Sequence, residues 1–531
     1  MTNTDLPAAA SGSPEAPVTL ASRLTHITRN TLLVTFLFGL AAVAGLFRNI
    51  IVAQEFGIGA TLDAYYAAFK LPDLLFAVVA GGALATAFIP IFADFLTDGD
   101  RPGAWRLAAA ITNLVVMVVG VLAAIAWIFA PWLVSVVIAP GFPPPAQAET
   151  VQVMRIVLFS TVLFGISAVQ GSALNGFKHF FLPALAPVVY PLGVAAGAIF
   201  LAPTMGVTGL AIGAVFGSLL HLLIKVPGLI KFGFQWWPVL GLKTEPVRRV
   251  LALLGPRVLD LFVFQFTLIV TTNLASRLGA GSVSSVEWGW DAMQLPETLI
   301  GTAFGLVAFP TMAELAARHD TSGLRSTLGE TLRWVIALAL PATVGLILLG
   351  RPLLSFLYQR GQFDAAAVDA VYATLRFFAL GLVAHTCLEL TARAFFAQKD
   401  TITPLIVATG SAVTNILLAI LLMGVLGAGG LALANTLAVS AEVLVLMVIL
   451  RKRWRGVEGR LIGRTFVRAG LASAVMGLVL VAFLDRATAS ELSSVLVVLA
   501  GGLLGLIVYI AAGLLFGVRE LRELPAALLG R

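Results

Sequence analysis

Apolar stretches of membrane-spanning length recur along almost the whole chain. They fall at roughly 32–55, 62–94, 106–138, 152–174, 180–202, 207–230, 250–276, 284–313, 327–350, 367–394, 402–426, 430–451, 465–484 and 494–517. A helix of about 20 apolar residues crosses the hydrocarbon core of a bilayer. Backbone N–H and C=O groups in that core have no water to bond, so a crossing segment is a helix or part of a closed barrel. These runs are long and continuous rather than alternating, which argues against a barrel. Composition agrees: of 531 residues 59% are hydrophobic and 11% charged, where a soluble domain carries about 25% charged residues. The expected fold is all-α, a polytopic membrane protein of about 14 transmembrane helices. A soluble enzyme and a disordered chain are excluded.

Orientation follows from the basic residues. One set of loops carries Arg23, Arg29, Arg101, Arg106, Lys178, Lys231, Lys243, Arg248, Arg249, Arg318, Arg325, Lys399, Arg451 to Arg468, Arg519 and Arg522. The opposite set is nearly bare, with Arg351, Arg360 and Arg486 as its main cations. The positive-inside asymmetry and an even span number put both termini in the cytoplasm. Residues 1–30, with Pro7, Pro14 and Pro17 among small polar residues, are expected to form a cytoplasmic tail. The next apolar run is a full span, so no cleaved signal peptide is expected. The run Arg451-Lys452-Arg453-Trp454-Arg455 reads as an anchor on anionic membrane lipid, not as a nucleic-acid site. A lone cysteine, Cys387, excludes a disulfide framework and cysteine metal clusters.

The chain also repeats itself. Lys178 and Pro183 match Lys399 and Pro404 at an offset of 221, as Gly209-Leu210-Ala211 matches Gly430-Leu431-Ala432 and Pro131 and Leu133 match Pro352 and Leu354. Phe56-Gly57-Ile58-Gly59 resembles Leu278-Gly279-Ala280-Gly281, Leu71-Pro72 resembles Leu295-Pro296, and Pro90 and Asp94 match Pro310 and Glu314, at 220 to 224. Two parallel six-helix bundles are expected, at 31–232 and 246–452, then two additional transmembrane helices at 464–518 and a cytoplasmic tail at 519–531. Transporters built from parallel repeats bind substrate between the halves.

No phosphate-binding loop, H-E-x-x-H, Cys/His cluster or G-x-S-x-G elbow is present, so neither an enzyme nor a cofactor is implied. Ionisable groups within spans are costly and usually face a cavity or a partner. Arg48 lies deep in span 1, either an anion site or an arginine reaching for headgroups. Asp63 and Lys70, seven residues apart in span 2, share a helix face, and Asp63 is expected either to orient Lys70 or to pair with Arg48. Arg257 and Asp260 in span 7 are spaced to pair. Glu287 and Asp291 form an acidic stripe in span 8. His385, Glu389 and Arg393 line one face of span 10, where ion or proton coupling competes with a plain Glu389–Arg393 pair.

Residues 46–94 are more specific. Leu46-Phe47-Arg48, Val52-Ala53, Phe56-Gly57, Asp63-Ala64-Tyr65, Ala68-Phe69-Lys70-Leu71-Pro72 and Ala87-Phe88-Ile89-Pro90 resemble the MurJ (MviN) family of lipid II flippases. Ala139-Pro140-Gly141-Phe142, Leu174-Asn175, Gly281-Ser282-Val283-Ser284, Arg360-Gly361-Gln362-Phe363, Arg393, Phe395-Phe396-Ala397, Asp400 and Pro404 extend the resemblance. It implies a fold shared with multidrug exporters and polysaccharide flippases. It also implies a lipid-linked cell-wall precursor as cargo, held by Arg48, Lys70 and Asp63, with cell-wall synthesis proteins as partners and a tail groove at the last two helices. Ala42, Phe76 and Gly81 stand where the family usually has charged residues, Trp290-Asp291 where it usually has an Asp-Arg pair, and Gln294 where it commonly has an acid; Arg257 is an added cation. Three functions fit: a lipid II flippase, a transporter of another lipid-linked glycan or of a cationic drug by ion antiport, and a non-transporting cell-wall scaffold.

Overall fold

The computed structural model describes the backbone of residues 20–80 and 82–528, and the side chains of 33–77, 84–254, 258–259 and 261–523. The expected tail at 1–19 therefore lies outside the described residues. Helix α1 (Leu20–Phe56) already includes positions 20–30. It is followed by α2 (Ala60–Ala80), α3 (Gly82–Thr97), α4 (Arg101–Trp132), α5 (Pro144–Gly176) and α6 (Phe181–Ala196). A π turn and the short α7 (Ala202–Met205) extend α6, then α8 (Val207–Leu223) and α9 (Val226–Lys231) complete the first half. The second half holds α10 (Glu245–Ser276), α11 (Ser282–Glu297), α12 (Ala303–Ala317), α13 (Thr321–Tyr358), α14 (Ala365–Leu380), α15 (Leu382–Ala397), α16 (Ile402–Leu426) and α17 (Ala428–Arg453). Last come α18 (Gly459–Ala489), α19 (Ser494–Phe516) and α20 (Arg519–Leu528).

Among the described residues, 11 helices are long and apolar enough to cross a membrane, and 12 if α14 and α15, bent by 48°, make one span. Shorter apolar helices at Leu84–Thr97 and Leu261–Ser276 fall in the second and seventh expected stretches. Several breaks sit at prolines, which withhold an N–H from the helix ladder. After Pro131 helix α4 continues as a π turn to Ile138, and after Pro296 helix α11 continues as one to Thr302. The segment expected as a C-terminal tail is helical as far as Leu528.

The repeat is visible in the backbone itself. Asp100 caps α4 by accepting from the Gly103 N–H (2.8 Å), and Asp320 caps α13 by accepting from Gly323 (2.9 Å). Such a cap satisfies one of the orphan N–H groups of a helix start. Gly99 and His319, Lys178 and Lys399, and Gly206 and Gly427 all have φ between 55° and 77°. The pairing repeats as well: α1 packs on α6 and α10 on α16, α6 on α8 and α16 on α17, α2 on α5 and α11 on α14. Helices α18 and α19 pack on each other and on α13.

The core has a fork. We call the end with Arg101, Lys178 and Lys399 the basic end. At the opposite end one apolar cluster joins both halves, through residues such as Val52, Leu62, Val134, Leu274, Trp288, Tyr358 and Phe363. At the basic end each half keeps its own cluster, around Phe92 and Trp105 in the first and Leu328 and Phe395 in the second. The halves are thus fused at one end and divided at the other.

Candidate translocation site

The fused end is sealed by backbone. The Gln362 N–H donates to the Gln54 carbonyl at 2.8 Å, tying the α13–α14 loop to α1. Gly57 and Gly361 lie in the left-handed region, with φ of 59° and 57°. A Cβ on Gly57 would stand 2.3 Å from the Gln362 carbonyl oxygen, and one on Gly361 2.3 Å from that of Gln54. Only glycine allows both the conformation and the approach. Close by, the Asn273 amide donates to the Val137 carbonyl (2.7 Å) and the Gly141 N–H to the Ser276 hydroxyl (3.1 Å).

Asp63 belongs to this seal. Its side chain, with 0% exposure, crosses from α2 to the start of α11. There it accepts from the N–H groups of Gly281 and Ser284, both at 2.7 Å, and from the Ser284 hydroxyl at 2.6 Å. A carboxylate at a helix N-terminus is favoured by the dipole and by those free donors. The sequence reading in which Asp63 orients Lys70 is therefore not what the geometry has. Lys70 instead forms an ion pair with Glu287 of α11.

Between the halves lies a cavity of about 850 Å³. Helix α2 contributes Lys70 and Asp73; α10, α11 and α14 to α17 supply most of the rest of the wall. The site is thus lopsided, built mainly from the second half. Its charged lining is two cations, Lys70 and Arg393, and six carboxylates, Asp73, Glu287, Asp291, Glu297, Glu389 and Glu442. Arg393 pairs with Glu389 at 2.9 Å, and His385 shares a hydrogen bond with Asn435 (3.0 Å) beneath the edge of Trp290. Among the described residues no group of three or more His, Cys, Asp or Glu is placed to hold a metal ion.

Of the residues singled out in the sequence, Lys70, Glu287, Asp291, His385 and Glu389 meet at this cavity. Arg48 is not in its wall. Its guanidinium bonds the Asn49 side-chain oxygen at 2.9 and 2.7 Å, within Coulombic reach of Tyr66, Tyr190 and Asp291. The side chains of Arg257 and Asp260 lie outside the described residues. Sequence reasoning missed Asp73 and Glu297. Asp73 falls three residues after Lys70 on the same helix face, a spacing that would have found it.

The MurJ profile, described as Lipid II flippase MurJ, matches residues 52–502. The lipid II flippase MurJ of Burkholderia cenocepacia is 32% identical over 450 residues, covering 81% of this chain and 87% of that one. This chain belongs to the MurJ family. A solved lipid II flippase MurJ in an inward closed conformation superposes with a TM-score of 0.78 at 24% identity, covering 92% of this chain and 99% of that one. An inward-facing multidrug resistance MATE transporter gives 0.67 at 17% identity, over 78% and 94%. At those identities the two structures carry the fold alone, and that fold is the one built above from spans and repeat. MurJ membership also explains the glycine motifs: Phe56-Gly57, Ala139-Pro140-Gly141-Phe142 and Arg360-Gly361-Gln362-Phe363 are the segments from which the seal is made.

Proposed function

We propose that this MurJ-family protein moves lipid II, an undecaprenyl-diphosphate-linked peptidoglycan precursor, across the bacterial inner membrane by alternating access. Family membership over residues 52–502 carries the reading. The forked core supports it, since a cavity closed at one end and divided at the other is half of a rocking cycle. In this reading the protein is a transporter and not an enzyme, and the bundles 31–232 and 246–452 move against each other. Helices at 464–518 stay with the second half, and both termini lie in the cytoplasm, so the open side receives cargo from the inner leaflet. Basic loops there hold anionic lipid, and cell-wall synthesis proteins supply the cargo.

Lys70 in the cavity wall and Arg257 are cations proposed for the diphosphate, together with Arg48, which stands outside that wall here and would meet the head in another state of the cycle, while Asp63 holds the sealed end. The excess of carboxylates in the cavity favours a second element: Glu287, Asp291, His385 and Glu389 take a coupling cation or protons. The same excess is what would serve a cationic substrate moved by antiport. Complementation of a strain depleted of its own lipid II flippase separates the readings. Growth rescued by the wild-type chain, lost with Arg48→Ala and partly kept with Arg48→Lys, is the expected pattern, because lysine keeps charge without the bidentate fork. Failure of the normally inserted wild-type chain to rescue growth, with export of cationic compounds, would establish the antiport reading instead.

A further inference from the structure

Outside the central cavity the two halves differ at one place where the repeat makes them comparable. Between α4 and α5, near the end away from the basic loops, lies a groove of about 740 Å³ walled by Trp127, Pro131, Ala148, Gln152, Arg155 and Phe159, among others. Arg155 is its one charged residue. The Arg155 Nε donates to the Trp127 carbonyl (3.1 Å) and the guanidinium sits 4.5 Å from the centre of the Trp127 ring. Among the described residues it has no carboxylate partner within ion-pair distance.

In the second half, at an offset of 221, the same positions read Pro352, Asp369 and Arg376. There the space is occupied: Arg351 and Asp369 form an ion pair at 2.6 Å, and the Tyr372 hydroxyl bonds the Ile347 carbonyl. The residues equivalent to Arg351, Asp369 and Tyr372 in the first half are Ala130, Ala148 and Val151. Small residues thus replace an ion pair and a phenol, and leave an arginine beside an open groove.

The depth of that arginine is set by helix length. Trp127 lies twenty-one residues beyond Arg106 in α4, and Arg155 twenty-one before Gly176 in α5. Both are therefore about 31 Å from the basic end at 1.5 Å per residue, close to the ~30 Å thickness of the hydrocarbon core. Arg155 and Trp127 then stand at the far membrane interface, where tryptophan collects and phosphates lie. Phe159, 64% exposed, continues the groove into the hydrocarbon.

We propose that this groove binds one anionic phospholipid of the leaflet opposite the basic end, its phosphate on the guanidinium fork of Arg155 and an acyl chain along Phe159. The charge, the depth and the tryptophan-lined groove all match such a head and tail, and arginine is the side chain best suited to bidentate phosphate recognition.

Native mass spectrometry of the purified full chain, titrated with phosphatidylglycerol or phosphatidylcholine, tests it. The wild type should retain one phosphatidylglycerol in preference to phosphatidylcholine. Arg155→Gln should weaken that retention about tenfold, as loss of a charge-assisted pair predicts, and Arg155→Lys by less. Ala148→Trp, which fills the groove from an exposed position and keeps the arginine, should weaken it as much as Arg155→Gln. Arg376→Gln, at the equivalent position without a groove, should leave it unchanged. Equal retention of the two lipids by the wild type, or full retention by Arg155→Gln, overturns the proposal. So does displacement of phosphatidylglycerol by equimolar undecaprenyl diphosphate, which would make the groove a site for the lipid part of the cargo.

Discussion

Removing the Asp63 carboxylate should unlatch the sealed end without dismantling either half. Among the described residues of α2, Asp63 reaches three donors at the start of α11, all buried at the seam. Asp63→Ala leaves the Gly281 and Ser284 N–H groups without partners. Each buried unpaired donor costs about 1–3 kcal/mol, so roughly 3 kcal/mol is lost, or about a hundredfold in an equilibrium constant. That loss falls on the state in which α2 and α11 touch, because a state open at this end hydrates both groups. Asp63→Asn keeps an acceptor for one donor and should lose about half as much. The readout is disulfide crosslinking in membranes. With Cys387→Ala removing the native thiol, Gln54→Cys and Gln362→Cys flank the 2.8 Å backbone bond across the seam. Crosslinking should be nearly complete in the Asp63 background and fall to a minor fraction in Asp63→Ala, with intermediate yield for Asp63→Asn. Undiminished crosslinking in a normally inserted Asp63→Ala protein refutes the latch.

Gly361→Ala places a Cβ 2.3 Å from the Gln54 carbonyl oxygen at a φ of 57°, so transport should be lost at normal membrane abundance; Gly39→Ala, with nothing within 4 Å, is the neutral control for the same assays. Lys70→Met and Glu287→Gln should each lower thermal stability in detergent, and the double variant should recover part of the loss, with a coupling of roughly 1–3 kcal/mol for such a contacting pair; strict additivity would mean that the pair is not formed. Asp400, between α15 and α16, is opposed by partial burial, but the Thr403 N–H and hydroxyl and the Arg453 guanidinium outweigh it and hold its carboxyl below the usual range. A depressed folded pKa stabilises above the unfolded value of about 3.9 and is lost as pH falls through the folded one. The stability difference between wild type and Asp400→Asn should therefore be constant from pH 5 to 8 and vanish only in strong acid, which a melting series against pH would read directly.

The fold was largely legible because the bilayer leaves the backbone few options. Long apolar runs dictate helices, and the repeat was readable from Lys178 and Lys399, which share a left-handed backbone in the structure. Gly193 of α6 and Gly197 of the π turn after it pack against Gly217 and Gly213 of α8. The site was only partly legible. Periodicity correctly put Asp63 and Lys70 on one face of α2, and Glu287 and Asp291 on one face of α11. It does not say which face of another helix lies opposite, because a shift of one residue turns a side chain by about 100°. That is why Asp63 was assigned to Lys70, whereas the register of α2 against α11 gives Asp63 to a helix start and Lys70 to Glu287. The amphipathic α20 was read as tail because its charges, Arg519 to Glu523, conceal a helix tied together by an Arg519–Glu523 pair.

The Lys70–Glu287 pair sets a condition on anything that enters. An anion arriving at Lys70 finds no vacant cation; it must take the ammonium away from a carboxylate that already holds it. Its net gain is the difference between two attractions, so a single negative charge trades like for like and gains almost nothing. A ligand with two neighbouring negative charges can win the exchange, yet by a margin far smaller than a bare lysine would give. Glu287, once displaced, stays on the same helix three residues beyond Ser284, which Asp63 holds, and within reach to reclaim its partner. If Lys70 takes the cargo diphosphate as proposed, capture would be selective for doubly charged heads, and release would be assisted by a competitor that never leaves the protein.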